Sequence, residues 1–196
     1  KRIEETVVLL RIGHLMGRST RDLSWGERQR VAIASVMALR PAVLVFDEPF
    51  SGVDAASARN LTGILSELRS ARGTTIIIFE HRIAGILTVI DRRVRMEAGS
   101  VISEERYGPR VAPVKETGST GENRAGTVSN CGDAPEYGPA RIPSLSLRGV
   151  SFRYPGESVP AIDGITLDFY PGEVTILSGA NGTGKTTLLK HCNGLL

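Results

Sequence analysis

Short, uniformly apolar runs alternate along this chain with longer runs of helical period, and each apolar run ends in a polar residue capable of chemistry. Across residues 1–15, apolar positions at Ile3, Val7, Leu10 and Leu15 predict an amphipathic helix that ends near Gly13 or Gly17. Ser24 followed three residues later by Glu27 is a capping-box pattern, so a second helix is expected to open there and run through residues 28–40 until Pro41 stops it. Residues 42–46 form a short apolar run that reads as a strand buried on both faces in a parallel sheet. It delivers Asp47 and Glu48 at its carboxyl end, and Pro49 breaks the chain directly after. Residues 55–72 predict another helix, closed by Gly73, and residues 74–79 a second buried strand with Glu80 and His81 at its end. This β-α-β alternation predicts a right-handed crossover unit.

From 103 to about 143 the pattern stops. Gly, Pro, Ser, Thr and Glu accumulate there without periodicity, which predicts a flexible linker. Beyond it, residues 145–154 and 161–170 alternate around Pro155-Gly156 and predict an antiparallel hairpin. Residues 173–178 read as a third buried strand and residues 185–191 as the opening of a helix. Between them lies Gly179-Ala-Asn-Gly-Thr-Gly-Lys185-Thr186, a complete G-x-x-x-x-G-K-[ST] phosphate-binding loop. Its glycines let backbone N–H groups close around phosphate oxygens, Lys185 adds charge, and Thr186 offers a hydroxyl to magnesium. The positive end of the following helix faces the anion. A nucleoside triphosphate is therefore the expected ligand.

Composition changes this picture little. A hydrophobic content of 41% is ordinary for a globular chain, and no apolar stretch approaches the roughly 20 residues of a membrane-spanning helix. The first residues lack the apolar region of a signal peptide, so the chain is expected in the cytosol. The net charge of +3 comes from interspersed Arg and Glu, which argues against a nucleic-acid partner. Cys131 and Cys192 share no metal-like spacing with each other or with the histidines, and no function is assigned to them.

Three buried strands thus end in chemistry: Asp47 and Glu48, then His81, then the Gly179 loop. An acidic residue after an apolar strand can hold magnesium, and a neighbouring carboxylate can polarise an attacking water. Leu23-Ser-Trp-Gly-Glu-Arg-Gln-Arg30, followed by Leu44-Val-Phe-Asp-Glu-Pro49, resembles the signature and Walker B segments of ATP-binding-cassette (ABC) ATPases. Ser51-Gly-Val-Asp54 is similar to the D-loop of that family, His81 to its switch histidine, and Tyr154 to the aromatic residue that stacks on adenine.

The resemblance implies an α/β fold of the P-loop NTPase type, with a mainly parallel sheet flanked by helices, an antiparallel β subdomain, and ATP and Mg2+ as ligands. It implies catalytic roles for Glu48 and His81 and magnesium contacts from Thr186 and Asp47. It further implies nucleotide contacts from Tyr154, Gly179, Asn181, Gly182, Thr183, Gly184, Lys185, Thr186 and Thr187 on one side, and from Ser24, Gly26, Glu27 and Asp54 on the other. Trp25 and Glu27 depart from the usual glycine and glutamine of the signature. Glu27 adds negative charge near phosphate, yet it also favours the helix dipole.

The order of motifs is inverted, because the phosphate loop comes last. A piece of a tandem ATPase explains this, with residues 1–102 as the back of one cassette, 103–144 as linker and 145–196 as the front of a second, both cassettes incomplete. Circular permutation is the rival. On the tandem reading, Asp47, Glu48 and His81 serve a different site from Lys185, unless the chain folds back and sets the strand before Gly179 beside the strand before Glu80. Tyr154-Pro-Gly and the His191-Cys-Asn-Gly-Leu-Leu ending resemble the ATPases of energy-coupling-factor importers. That likeness implies import of a solute through transmembrane subunits, at the cytoplasmic face of the cell membrane. A soluble, non-transport cassette ATPase and a module that binds nucleotide without turnover are the other readings.

Overall fold

The computed structural model describes residues 1–81, 86–107 and 141–196, with backbone alone at residues 71 and 72. Helix α1 spans Arg2–Leu9, α2 Trp25–Met37 and α3 Ala55–Arg72, with strand β1 (Val43–Asp47) between the last two. Strands β2 (Thr75–Glu80), β3 (Arg92–Glu97) and β4 (Ser100–Arg106) follow. After the undescribed segment come β5 (Leu145–Phe152), β6 (Ile162–Phe169), β7 (Val174–Ser178) and helix α4 (Lys185–Cys192). The five-stranded sheet has the order β1-β2-β7-β3-β4, parallel except for the antiparallel β3–β4 hairpin, and β5 and β6 form a separate antiparallel pair.

The strand that leads into the phosphate loop therefore lies between two strands of the first part of the chain. Ile76 pairs with Val174 through to Glu80 with Ser178, and on the other side Arg92 pairs with Thr175 through to Arg95 with Ser178. The chain folds back on itself. Gly172 N donates to Gly73 O (2.8 Å), and Val174 N to the Asp91 carboxylate (2.9 Å), which also pairs with Arg69 of α3 (2.8 Å). Arg92, only 3% exposed, reaches Glu104 at 2.7 Å and Glu173 at 3.6 Å and donates to Asp168 O. A buried pair of this kind adds little net stability but disfavours other registers, since each misplaced charge would be left unpaired.

The two-residue period of buried strands divides the core. Ile76, Ile78, Val174 and Ile176 pack on one face with Met37, Leu65 and Leu68 of α2 and α3. On the other face Ile77, Phe79 and Leu177 pack with Phe169 of the β5–β6 pair and Leu188 of α4. Every residue of β2 and β7 is buried, as the uniform apolar runs predict for central parallel strands.

Three boundaries differ from the sequence expectation. Helix α1 stops at Leu9 because Arg11 turns into the left-handed region (φ 52°), and Ile3, expected on the packed face, is 63% exposed while Thr6 is buried. The expected linker begins too early, since residues 103–106 continue β4 and pair with β3; residues 108–140 lie outside the described residues. The β3–β4 hairpin itself was not anticipated. Ala98 and Gly99, both at positive φ (44° and 79°), make its two-residue turn, the geometry that matches the twist of antiparallel strands.

Candidate functional site

The loop after β7 is shaped by what its glycines exclude. A Cβ on Gly179 would lie 2.5 Å from Met96 O and 2.7 Å from Thr183 Oγ1, and one on Gly184 would run into Ala161 O. Gly182 and Gly184 also hold φ of 81° and 91°, where side chains are strained. Thr183 Oγ1 donates to Ala180 O (2.9 Å), and the buried Lys185 donates to Gly179 O (2.9 Å) and Ala180 O (2.8 Å). The lysine thus folds over the loop. Gly184 caps α4 without a side chain, so its first-turn N–H groups have no side-chain acceptor and face outward with the positive end of the helix dipole. Asn181 and Thr186 stand exposed beside them.

Strands β1 and β2 bring acids to the same sheet edge. Asp47 is exposed at the end of β1, yet partial desolvation there raises its carboxyl above the ordinary range, with Glu48 and then Glu80 adding repulsion and Lys185 opposing it. The parallel order β1-β2-β7 sets the Walker B-like acids at the same sheet edge as the phosphate loop of this chain, where the tandem reading separates them. Glu48 sits at φ 44°, an unfavourable conformation for a residue with a Cβ, and its N–H donates to Phe79 O (2.8 Å). His81 Nδ1 lies 3.4 Å from Glu48 Oε1 and 3.1 Å from Glu80 Oε1. Glu80 is 1% exposed, and its two oxygens accept from the backbone N–H of Phe50 (3.2 Å) and of His81 (2.9 Å). Sequence reasoning noted Glu80 only as a strand end. The available signal was an ionisable residue on an otherwise fully apolar strand, which burial makes costly unless it is bonded.

Tyr154 lies against α4. Its hydroxyl pairs with Thr187 Oγ1 at 3.2 Å, an interaction that lowers its pKa, and Lys190 Nζ stands 5.8 Å from its ring centre. The exposed Ser24, with Gly26 and Glu27, opens α2. Both halves of the capping box form, Ser24 N donating to Glu27 Oε2 (2.8 Å) and Glu27 N to Ser24 Oγ (3.3 Å), which lowers the Glu27 pKa. Asp54 caps α3 by accepting from Ala56 N (2.8 Å) and Ser57 N (2.9 Å), and its pKa falls for that reason. The α2 and α3 starts are neighbours, since a Cβ on Gly26 would lie 3.9 Å from Ser57 Oγ. The hydrogen bonds described for Ser24, Glu27 and Asp54 are local caps, and none joins them to Lys185. Strands β1, β2 and β7 thus bring Asp47, Glu48, His81 and the Lys185 loop to one sheet edge, and Gln29 of α2 donates to Pro49 O in the turn after β1 (3.2 Å).

The profile of the family described as ABC transporter matches residues 1–51 and 162–196. A Methanosarcina acetivorans protein described as an ABC transporter ATP-binding protein is 37% identical over 196 residues, all of this chain and 36% of that protein. A Treponema denticola protein of the same description is 35% identical, again across all of this chain and 40% of its own length. The chain thus spans well under half the length of these curated relatives. Among solved structures, CbiO1 from Clostridium perfringens, part of the ABC transporter complex CbiONQ, is 34% identical with a TM-score of 0.52, over 54% of this chain and 42% of that one. The ADP conformation of MJ1267, an ATP-binding cassette of an ABC transporter, gives 32% and 0.52 over 54% and 41%.

Proposed function

The chain belongs to the ABC transporter ATPases, and from that premise we propose that it is part of a longer tandem-cassette ATPase that hydrolyses ATP to move a solute through separate transmembrane subunits. The end-to-end match to a relative nearly three times as long favours a tandem parent over circular permutation, because this whole chain aligns to it as one continuous stretch. The likeness to CbiO1 favours the energy-coupling-factor class of importer, working at the cytoplasmic face of the membrane with a second cassette as partner. No helix among the described residues is long and apolar enough to cross a membrane.

One observation carries the catalytic reading: β1, β2 and β7 are parallel neighbours, so in this chain Asp47, Glu48 and His81 end at the same sheet edge as the Lys185 loop, as the corresponding motifs of one cassette would, while in the tandem parent each set works with the matching motifs of its own cassette. The glycines from Gly179 to Gly184 let the loop pack closely on its neighbours, and Lys185, now bonded to its own loop carbonyls, turns to the phosphates when they arrive. Magnesium fits the donor set. Thr186 and Asp47 would supply oxygens to this hard cation, and the Asp47 carboxyl, raised by desolvation and by the neighbouring Glu48 and Glu80, would be relieved by its charge. When bound, the ion neutralises charge on the β- and γ-phosphates. Glu48 orients the attacking water and accepts its proton, and His81 hydrogen-bonds the terminal phosphate. Tyr154 offers its ring to adenine, while Ser24, Gly26, Glu27 and Asp54 present the face that closes on a nucleotide held by another cassette.

Glu48→Gln in the tandem parent tests the proposal. Hydrolysis is expected to fall by about 100-fold or more with ATP affinity retained. Unchanged turnover would remove Glu48 from the reaction.

A further inference from the structure

We infer that Glu80 is the positioning residue for His81, an assignment that rests on the proposed ATPase reading for its catalytic consequence but not for its geometry. The Glu80 side chain is 1% exposed, and both of its oxygens are engaged. Oε1 faces the backbone N–H of His81 (2.9 Å) and the ring Nδ1 (3.1 Å), and Oε2 accepts from Phe50 N (3.2 Å). Nδ1 also looks toward Glu48 Oε1 at 3.4 Å. A ring nitrogen placed between two carboxylate oxygens carries a proton, since its lone pair would otherwise oppose theirs. This fixes a proton on Nδ1, and Nε2 donates to phosphate when it is protonated as well.

The same carboxyl group also ties down the acid. Phe50 follows Glu48 by two residues, in a turn closed by Ser51 N donating to Glu48 O (3.0 Å). Glu80 therefore bridges the turn that carries Glu48 and the strand end that carries His81, so that both groups approach the loop in one fixed relation. A neutral amide cannot do this. Glutamine has one acceptor oxygen where Glu80 uses two, so one of the two attachments must break in Glu80→Gln.

Long-range 1H–15N NMR on the 196-residue chain reads the His81 tautomer without nucleotide. The expected spectrum shows a protonated Nδ1; in Glu80→Gln the population moves toward Nε2–H, and in Glu48→Gln the Nδ1 proton stays. In the tandem parent, Glu80→Gln is expected to lower kcat by about 10- to 100-fold, the usual cost of losing a histidine's orienting partner, with KM for ATP within about twofold. An Nε2–H tautomer in the wild-type chain overturns the assignment even if the variant does not fold. An unchanged tautomer together with an unchanged kcat in Glu80→Gln also overturns it. If the wild-type parent hydrolyses no ATP, the ATPase reading fails while the spectrum still decides the Glu80–His81 contact.

Discussion

Ile176→Ala tests whether the two sequence-distant parts of this chain unfold as one. Ile176 is fully buried on β7, beside Ile78 of β2, in the cluster that holds Met37, Leu65 and Leu68 of α2 and α3. The substitution removes three carbons, worth about 2.4 kcal/mol of transfer free energy at about 0.8 kcal/mol each. Neighbouring helices and strands cannot fully collapse onto the gap, so a total of about 3 kcal/mol, within the usual 2–5, is expected. With a urea dependence of about 2 kcal/mol per M, the midpoint falls by about 1.5 M. The reporter is built in: Trp25, the single tryptophan, lies at the start of α2, far in sequence from the mutation. Its fluorescence transition shifts by the full amount if β7 completes the first part's sheet. A Trp25 transition that stays put while far-UV circular dichroism changes would show that the halves unfold separately and would refute the shared core.

Lys185→Ala is expected to weaken ATP binding by about 10- to 100-fold, the worth of a charged hydrogen bond, as read by calorimetry. Gly184→Ala places a Cβ at φ 91° against Ala161 O, so a loss of about 1–2 kcal/mol for the left-handed backbone, with the clash in addition, is expected in urea unfolding. Asp47→Asn is expected to stabilise the nucleotide-free chain. The folded-state pKa of Asp47 is raised above its unfolded value, so its protonated form supports folding below about pH 4 and that support is lost as pH rises through the folded value. The gain of the asparagine variant should therefore grow with rising pH across that window, and a pH-independent difference would contradict the partial desolvation and Glu48 repulsion assigned to Asp47.

Much of this arrangement was legible in residue order, for reasons that differ by element. The capping box at Ser24 and Glu27, the αL glycine after α3 and the buried runs of β2 and β7 are local signals, and each formed as read, whereas β1, expected to be buried on both faces, lies at the sheet edge with only Leu44 buried. Strand β3 was not read because Arg92, Arg93 and Arg95 interrupt its apolar alternation. Arg92 is nonetheless buried, its charge met by Glu104 and Glu173 from other strands, and no local pattern shows that. Pairing of β7 with β2 joins residues about a hundred positions apart, so motif spacing left it open as one of two arrangements. Glu80 was passed over for a similar reason. Its partners, the Phe50 amide and the His81 ring, meet only when β1 and β2 are side by side.

The central claim is that β7 lies between β2 and β3 and so carries the Lys185 loop to the edge that holds Asp47, Glu48 and His81. Nuclear Overhauser effects between backbone protons of Ile76–Glu80 and Val174–Ser178 measure it directly. The account predicts a continuous ladder of cross-strand contacts in the parallel register, Ile76 with Val174 through Glu80 with Ser178. Absence of that ladder, with the β7 amides exchanging freely with solvent, would contradict it.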